Sequence, residues 1–299
     1  MRGCQRALTA EVFQAYFHPG HRSAKCSAYD GAMSAHYENI SQLDTLNDFF
    51  KVTAPEVVAE RMMRPRRTGG FFRAQALTAS ATPDSGAQRA QPAAMVAEVP
   101  AAAPTTGDPV AAAKKAAPSV VREWVPAQWG LVPHWVKSAS DARLRAPKLI
   151  EARDDTVSTA QAFREAWLAG QRCVVPLQAF YVDDLRSGKP VPTRIARIDG
   201  KPMGVAGVWA CWRDPATGLE LTSYALLTVN ANSHGLLHRY GHPGSEKRML
   251  AVLGEGTYDA WLSARQDKAK EFLRAYPANW LLANPVETKA DKKPKDWLS

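Results

Sequence analysis

The sequence predicts an α+β fold, with a mostly antiparallel β-sheet or barrel at its core and flanking helices. Strand-like runs rich in β-branched and aromatic residues outnumber the helical patterns. The two kinds of pattern do not alternate along the chain, as they would in a parallel α/β sheet. With 299 residues, of which 45% are hydrophobic, the chain is long enough to bury a substantial core.

Three runs carry the strand prediction. They are RCVVPLQAFYV (172–182), PMGVAGVWACW (202–212) and SYALLTVNA (223–231). The segment DPATG (214–218) is a cluster of turn-forming residues between the last two runs. Because a turn between two strand-like runs is typical of a hairpin, we expect these two runs to pair as antiparallel neighbours.

Helices are expected at residues 42–50, 159–169 and 257–276. The first and the last have apolar residues at helical spacing. Ser41 and Thr257 stand at their starts, where a hydroxyl group can accept a hydrogen bond from a free backbone N–H. We therefore expect both helices to begin with a side-chain cap.

The chain is predicted to contain one interrupted domain. Its parts are an N-terminal extension (1–32), a single domain (33–74 and 119–285), an insertion (75–118) and a charged tail (286–299). Alanine and proline dominate the insertion and it has no aromatic residue, which predicts disorder; a short surface helix at AAAKKAA is the alternative. The extension shows no clear period, and Met33 offers a second translation start.

Charge and composition limit the classes of function. Lysine and arginine number 38 against 29 aspartate and glutamate residues, and the resulting formal charge of +9 favours an anionic partner. No apolar run reaches the roughly 18–20 residues of a membrane-spanning helix. The N-terminus also lacks the apolar stretch of a secretory signal. The four cysteines have no CxxC spacing, which predicts neither a disulfide framework nor a zinc site. We expect a cytoplasmic monomer without a cofactor or a metal, and no membrane partner.

A basic and aromatic segment, RMMRPRRTGGFFR (61–73), has five arginines around two phenylalanines. Arginines neutralise phosphates and aromatic faces stack on unpaired bases, and proteins that bind single strands combine the two. One interpretation is therefore a surface for single-stranded nucleic acid, with Arg66 and Arg67 on phosphates and Phe71 and Phe72 on bases. The other is a solvated basic loop that leads into the insertion.

The segment WGLVPHW (129–135) has two tryptophans on either side of a proline-containing turn. Two large rings so close together do not fit easily into one core. Either both tryptophans are nevertheless packed there, or one packs while Trp135 projects towards a ligand. The segment by itself leaves both alternatives open.

A histidine series follows the last predicted strand. His234, His238 and His242 precede Glu246, and each is four residues from the next. On a continuous helix these side chains would share a face and could bind zinc. Glycine and proline residues between them argue against such a helix, so no metal site is expected.

Several segments, taken together and in order, resemble the SOS-response-associated peptidase family, also called abasic-site processing proteins. The segments are MSAHYENI (33–40), WGLVPHW (129–135), EARDDTV (151–157), FREAW (163–167), RCVVPLQAFY (172–181), MGVAGVWACW (203–212), LLTVNANSHGLLHRYGHPGSEKRM (226–249) and YDAWL (258–262). The resemblance spans Met33 to Ala283 apart from the insertion. It implies a compact α+β fold around a β-barrel-like sheet. It also implies single-stranded DNA with abasic sites as the partner and a role in the DNA damage response. The implied location is the bacterial cytoplasm, in association with the nucleoid.

The resemblance also implies a chemistry. In such proteins the mature chain begins with a cysteine, whose amine forms an imine with the ring-opened aldehyde of an abasic site. The neighbouring thiolate then closes a stable thiazolidine ring. The family supports these steps with an asparagine in an Asn-Ala-Arg motif, a glutamate after a Phe-Tyr pair and a histidine before an Arg-Met segment.

This chain departs from the family pattern at each of these positions. Ser34 stands at the cysteine position, Glu151 at the asparagine and Val182 at the glutamate. The histidine position falls on Gly241, with His242 one residue away. A hydroxyl group traps an imine far less well than a thiolate, because its pKa is much higher. The implied catalytic positions, Ser34, Glu151 and His242, are therefore degenerate, and we expect covalent capture to be lost.

The positions expected to contact DNA are better preserved. They are His36, Arg66, Arg67, Trp135, Arg153, Thr228 and Arg248. By resemblance, Arg153 and Arg248 hold phosphates while Trp135 stacks or wedges at the lesion. The ordinary structural alternatives are an ion pair for Arg248, a core position for Trp135 and a strand position for Thr228. A carboxylate at Glu151 would repel phosphate.

Three hypotheses of function remain. The first and favoured one is a family member that binds single-stranded or abasic-site DNA but has lost covalent capture. The second is an abasic-site lyase that starts at Met33 and uses the free amine of Ser34 for imine formation and β-elimination. The third is a non-enzymatic scaffold that binds a protein through the insertion. Ser34 and Val182 argue against an enzyme, whereas Arg153 and Trp135 argue against a pure scaffold.

Overall fold

The computed structural model describes residues 33–40, 42–53, 60–75 and 120–286, with side chains from His36 onward. The predicted extension 1–32 lies outside these residues, as do the charged tail beyond Val286 and all of the insertion except Gln75. Ser41, the expected cap of the first helix, also lies outside them.

Strands make up most of the described elements. The strands are β1 (Met33–Glu38), β2 (Met62–Met63), β3 (Thr68–Ala74), β4 (Arg122–Trp129), β5 (Glu151–Arg153), β6 (Arg172–Leu177), β7 (Ala179–Asp184), β8 (Val191–Arg197), β9 (Met203–Arg213), β10 (Glu220–Asn230), β11 (Arg248–Leu250), β12 (Val252–Leu253) and β13 (Leu281–Pro285). The α-helices are α1 (Leu43–Phe50), α2 (Ala139–Arg145), α3 (Arg164–Leu168), α4 (Tyr258–Leu262) and α5 (Gln266–Ala269). Short 3-10 turns lie at Ala146–Lys148, Leu237–Arg239, Glu255–Thr257, Lys270–Phe272 and Ala278–Trp280.

Five strands close into a barrel. Around the barrel β10 pairs with β4, β4 with β3, β3 with β6, β6 with β9, and β9 again with β10. All these pairs are antiparallel except β10 and β4, which run parallel with Tyr224 opposite Trp129. The predicted α+β class, with a mostly antiparallel barrel and flanking helices, is confirmed.

The predicted hairpin forms one of the two longest pairings of the barrel. β9 and β10 pair antiparallel, starting with Arg213 opposite Glu220. The carboxylate of Asp214 closes the turn, since it accepts hydrogen bonds from the N–H of Ala216 at 3.0 Å and from the hydroxyl of Thr217 at 2.9 Å. Both the pairing and the turn follow from local sequence, and the prediction is confirmed.

A second sheet covers the barrel. Its strand order is β13-β8-β7-β1-β2. Tyr37, Phe180 and Ile195 of this sheet share one continuous core with Phe71 and Phe72 of the barrel. The N-terminal strand β1 is therefore held between β7 and β2 and packs against the barrel.

The predicted strand 172–182 is in fact two strands in two different sheets. β6 belongs to the barrel and β7 to the second sheet. The chain crosses between them at Gln178, whose N–H donates to the carbonyl of Glu38 at 2.8 Å. Residues on both sides of this crossing are buried, so the sequence stays apolar through it and shows no break between the two strands.

The helix predictions were right in place but too long. Residues 42–50 form α1, which begins after Gln42 without a side-chain cap. The prediction 159–169 shrinks to α3, Arg164–Leu168, because residues 154–163 form successive turns.

The prediction 257–276 divides into α4, α5 and a 3-10 turn. The extended backbone of Arg265, with φ −65° and ψ 153°, breaks the helix. The hydroxyl of Thr257 donates to the carbonyl of Gly254 at 2.8 Å, so it does not act as the expected cap.

The two described cysteines differ in state. Cys173 on β6 is free and buried, whereas Cys211 on β9 is disulfide-bonded, which the cysteine spacing did not predict.

In the described part of the chain no helix has the length and apolar character needed to cross a bilayer.

Candidate functional site

Two short strands flank the C-terminal half of β10. β5 runs parallel to β10, with Arg153 opposite Thr228. β11 runs antiparallel to β10, with Arg248 opposite Asn230. The register therefore brings Arg153 and Arg248, the two residues expected to hold phosphates, to the same end of the same strand.

Around these two residues lies a set of ion pairs that we call the arginine–carboxylate cluster. Its members are Arg153, Asp154, Asp155, Glu246 and Arg248. Glu246 bridges both arginines: its Oε1 accepts from Nη1 of Arg248 at 2.9 Å and its Oε2 lies 2.7 Å from Nη2 of Arg153. Asp155 accepts from Nε and Nη2 of Arg153 at 3.0 and 2.7 Å, and Asp154 accepts from Nη2 of Arg248 at 2.5 Å. A phosphate that binds here must therefore compete with carboxylates.

The two arginines differ in exposure. The side chain of Arg153 is 46% exposed, whereas that of Arg248 is 8% exposed. Thr228 is buried and holds Arg248 in place, because its carbonyl accepts from Nη2 at 2.6 Å and its hydroxyl at 3.3 Å. The contribution of Thr228 to a DNA interface would thus be indirect, through Arg248.

Two carboxylates of the cluster, Glu246 and Asp155, stay ionised at neutral pH. The hydrogen bond from Arg248 lowers the pKa of Glu246, and the hydrogen bond from Arg153 lowers the pKa of Asp155 to about 2. Together with Asp154 the cluster has three carboxylates and two guanidinium groups. Its overall charge does not favour a DNA backbone, although Arg153 remains half-exposed.

Glu151 begins β5, two residues before Arg153, and is half-buried. Burial raises its pKa to about 7, although the nearby charge of Arg248 acts in the opposite direction. A carboxyl group with this pKa is partly protonated at neutral pH. Glu151 therefore repels phosphate less than the sequence alone suggested.

The backbone of β1 brings together three of the positions that the sequence analysis expects to be degenerate. Met33, next to Ser34, is opposite Val182 on β7. Asp183 follows Val182, and its carbonyl accepts from the N–H of Gly241 at 2.9 Å. Val182 is 1% exposed and part of the main core, so no ionisable group faces the site from this position. His242, one residue beyond Gly241, is exposed.

His36 forms an aromatic pair at the outer side of β1. Its ring stacks on that of Tyr181, with centroids 4.4 Å apart. Burial and the positive charge of Arg64 lower the pKa of His36. At neutral pH the ring is therefore uncharged, and it is suited to stacking rather than to pairing with phosphate.

Beside this pair a buried carboxylate holds two arginines. Glu38 accepts from Nη2 of Arg61 at 2.8 Å and from Nε of Arg194 at 2.7 Å. Burial alone would raise the pKa of Glu38, but the hydrogen bonds from Arg194 and Arg61 lower it. The side chain of Arg61 remains 76% exposed. Together these side chains form what we call the β1 face: His36, Glu38, Arg61, Arg64, Tyr181 and Arg194.

Arg66 and Arg67 lie in the connection between β2 and β3. The N–H of Arg66 donates to the carbonyl of Trp129 at 2.7 Å, and the carbonyl of Arg67 accepts from the N–H of Trp129 at 3.0 Å. Both side chains are exposed. Phe71 and Phe72 are fully buried, so the expectation that they stack on bases is wrong: β3 turns them into the core.

The two tryptophans of residues 129–135 have different environments. Trp129 is buried in the main core. Trp135 is half-buried and packs against a small second cluster that includes Val136 and Trp212. The guanidinium of Arg145 lies 5.1 Å from the centre of its ring, and its Nε1 is buried without a hydrogen-bond partner. Trp135 therefore neither enters the main core nor projects freely.

The histidine series does not form a metal site. Nε2 of His234 lies 2.7 Å from the carbonyl of Tyr276, and its Nδ1 accepts from the N–H of Leu237 at 3.0 Å. Both ring nitrogens are thus used within the protein. The described residues contain no group of three or more His, Cys, Asp or Glu side chains that could hold a metal ion.

Comparison with known families identifies the family to which this fold belongs. The model of the family described as SOS response associated peptidase (SRAP) matches residues 71–293. The chain belongs to the SRAP family. The resemblance inferred from the sequence is therefore confirmed.

Individual SRAP relatives are more distant. The chain is 27% identical over 182 residues to the abasic site processing protein HMCES of Gallus gallus, covering 54% of this chain and 52% of the relative. HMCES of Mus musculus is 27% identical over 201 residues, covering 58% and 54%. The chain thus spans about half the length of the curated relatives that it matches.

Two solved structures also resemble this SRAP chain. A protein of Bordetella bronchiseptica has a TM-score of 0.65 and 29% identity, covering 85% of this chain and 100% of its own. A protein of Bacteroides thetaiotaomicron has a TM-score of 0.51 and 27% identity, covering 57% of this chain and 72% of its own. Both likenesses agree with the α+β barrel described above.

Sequence reasoning missed the carboxylates of the cluster as site residues. Glu246 precedes Arg248 by two residues, and Asp155 follows Arg153 by two. A spacing of two residues is short enough for an ion pair between the side chains. It was the available signal for the pairs Arg153–Asp155 and Arg248–Glu246.

Proposed function

We propose that this protein binds single-stranded DNA, including strands with abasic sites, without forming a stable covalent adduct. It acts as a monomer in the DNA damage response. The observation that carries the proposal is the register of β10, which places Arg153 and Arg248 side by side in a chain of the SRAP family. The relatives named above as abasic site processing proteins support the choice of ligand.

Two surfaces of the described structure offer arginines to a DNA strand. Arg153 is half-exposed and can pair with a phosphate through its guanidinium group. The β1 face adds Arg61 and Arg64 beside the stacked rings of His36 and Tyr181. Exposed arginines next to aromatic rings suit the backbone and the bases of a single strand.

The loss of covalent capture rests on Ser34 and Val182. The hydroxyl of Ser34 is a weak nucleophile, because it is protonated at neutral pH. Val182 supplies no proton-transfer group, and its buried position explains why a carboxylate there would be costly. Glu151, with a pKa of about 7, remains on β5 as a carboxyl group that can gain or lose a proton near neutral pH.

The test uses a labelled single-stranded oligonucleotide with one abasic site and an undamaged control. Protein made from Met1 and from Met33 is mixed with each, with and without borohydride, and run on native and denaturing gels. We expect a shift on the native gel and no adduct on the denaturing gel. Arg153→Met should weaken binding to both strands by about fivefold or more, because a phosphate contact contributes similarly for every sequence. Arg213→Met, an exposed change at the tip of the β9–β10 hairpin, is the matched control.

The other outcomes separate the alternatives. A stable adduct without reductant would show covalent capture and contradict the proposal. An adduct that needs borohydride and appears only with protein from Met33 would indicate the lyase that uses the Ser34 amine. No shift and no adduct would leave the protein-binding scaffold.

A further inference from the structure

Glu246 has an unusual position within the arginine–carboxylate cluster. It is the residue of the cluster that touches both arginines, through Oε1 to Arg248 at 2.9 Å and through Oε2 to Arg153 at 2.7 Å. Asn230 also donates to its Oε1 at 2.9 Å. The side chain is 32% exposed, so solvent and a ligand can reach the bridge.

Two guanidinium groups around one pair of oxygens are an arrangement suited to phosphate. Arginine binds carboxylate and phosphate through the same pairs of N–H···O bonds, with similar geometry. A carboxylate that bridges two arginines therefore satisfies the donors that a phosphodiester would use. Glu246 remains charged in this position, because the hydrogen bond from Arg248 lowers its pKa.

We propose that Glu246 occupies the place of a DNA phosphate between Arg153 and Arg248, and so limits the affinity of this protein for the DNA backbone. This inference rests on the DNA binding proposed above. A strand must displace the carboxylate of Glu246 before it can use both arginines. An undamaged strand that contacts the protein only through its phosphates therefore binds weakly. A strand with an abasic site can gain affinity through additional contacts at the lesion.

The neighbours of Glu246 allow the idea to be tested without dismantling the cluster. When Glu246 is replaced by glutamine, Arg248 keeps Asp154 and Arg153 keeps Asp155. Glutamine also preserves the size of the side chain and can still accept from Asn230. Asp155→Asn is a matched control, because it removes the same charge from the same cluster but from a residue that pairs with Arg153 alone.

The experiment measures the affinity of the full chain and of both variants for an undamaged single-stranded oligonucleotide at several salt concentrations. We expect Glu246→Gln to bind about tenfold more tightly, because a neutral amide competes less well than the charged carboxylate with a phosphate for the two guanidinium groups. Its salt dependence should steepen by about 0.7 in the log–log slope for each additional phosphate that the arginines neutralise. Asp155→Asn should change the affinity by less than about threefold.

A second arm uses inorganic phosphate as the probe and thermal unfolding as the readout. Phosphate and chloride are compared at equal ionic strength. Phosphate should raise the Tm of Glu246→Gln by about 2 °C or more beyond its effect on the unchanged protein, since a ligand that binds the folded state stabilises it.

The outcomes distinguish this inference from the proposed function. Equal DNA affinity of Glu246→Gln and the unchanged protein, with no selective effect of phosphate, overturns the inference while DNA binding stands. Equal increases in affinity for Glu246→Gln and Asp155→Asn also overturn it, because net charge would then explain both. If neither protein binds DNA but phosphate stabilises Glu246→Gln selectively, the proposed function fails, and what stands is that Glu246 occupies a phosphate site between Arg153 and Arg248.

Discussion

The hydroxyl groups of Tyr37 and Tyr224 lie 2.6 Å apart and form a hydrogen bond inside the protein. Tyr37 belongs to β1 in the second sheet and Tyr224 to β10 in the barrel. Both residues are buried, and burial raises the pKa of both hydroxyls, so the pair stays neutral. This bond joins the strand that carries Ser34 to the strand that organises Arg153 and Arg248.

Replacing one partner of this pair should destabilise the protein. Tyr37→Phe leaves the hydroxyl of Tyr224 buried without a partner, which costs about 1–3 kcal/mol of unfolding free energy. Tyr224→Phe should cost a similar amount, and the double variant less than the sum, because it leaves no orphaned group. Urea unfolding of the three variants measures these differences. Strictly additive losses would mean that the two hydroxyls do not interact.

Gly130 should not tolerate a side chain. Its φ of +108° favours glycine, and a Cβ there would lie 2.4 Å from the carbonyl oxygen of Ala146. We expect Gly130→Ala to lower the unfolding free energy by about 3 kcal/mol or more, through clash and backbone strain together. Gly256→Ala, which would meet nothing within 4 Å, is the control. Similar stabilities of the two variants in urea would contradict this account.

Glu151 should make stability depend on pH. Its pKa is raised from the ordinary value of 4.5 to about 7 in the folded protein. The protonated carboxyl group therefore favours the folded state. This contribution to the unfolding free energy is complete below about pH 4.5 and is lost as the pH rises through about 7. Between pH 5 and pH 7 the unchanged protein should lose up to about 1.4 kcal/mol per pH unit relative to Glu151→Gln. Unfolding free energies of both proteins at several pH values test this. Parallel pH curves would show that Glu151 does not titrate in this range.

Ser34→Cys alone should not restore a stable crosslink to abasic-site DNA. The thiol would be present, but Val182 provides no proton-transfer group and Glu151 stands where the family has a neutral amide. A denaturing gel of the variant started at Met33, with abasic-site DNA and no reductant, gives the answer. Circular dichroism should show that the variant is folded. A stable adduct would mean that the cysteine position by itself decides capture.

Local sequence was sufficient for some elements. The β9–β10 hairpin was predictable because its two strands are adjacent in the chain and Asp214 marks the turn between them. The first helix was predictable from its apolar spacing, which ends in the buried Phe50. In contrast, the strand prediction 172–182 failed to show its division at Gln178, since residues on both sides are apolar and buried.

The site was only partly visible in the sequence. Arg153 and Arg248 could be named, but the pairs that Arg153 forms with Glu246 and Arg248 with Asp154 depend on the pairing of β5 and β11 with β10. The basic and aromatic segment gave a misleading signal for Phe71 and Phe72, because an aromatic residue looks the same in sequence whether it stacks on a base or fills a core.

The sequence by itself determined the family and the α+β class, because these follow from residue identity and order. The tertiary structure decided how the remaining charges behave. Glu246 bridges two arginines, and burial shifts the pKa of Glu151 to about 7. Both effects arise from distances and burial between segments far apart in the chain, and electrostatic energy depends on such distances rather than on sequence order.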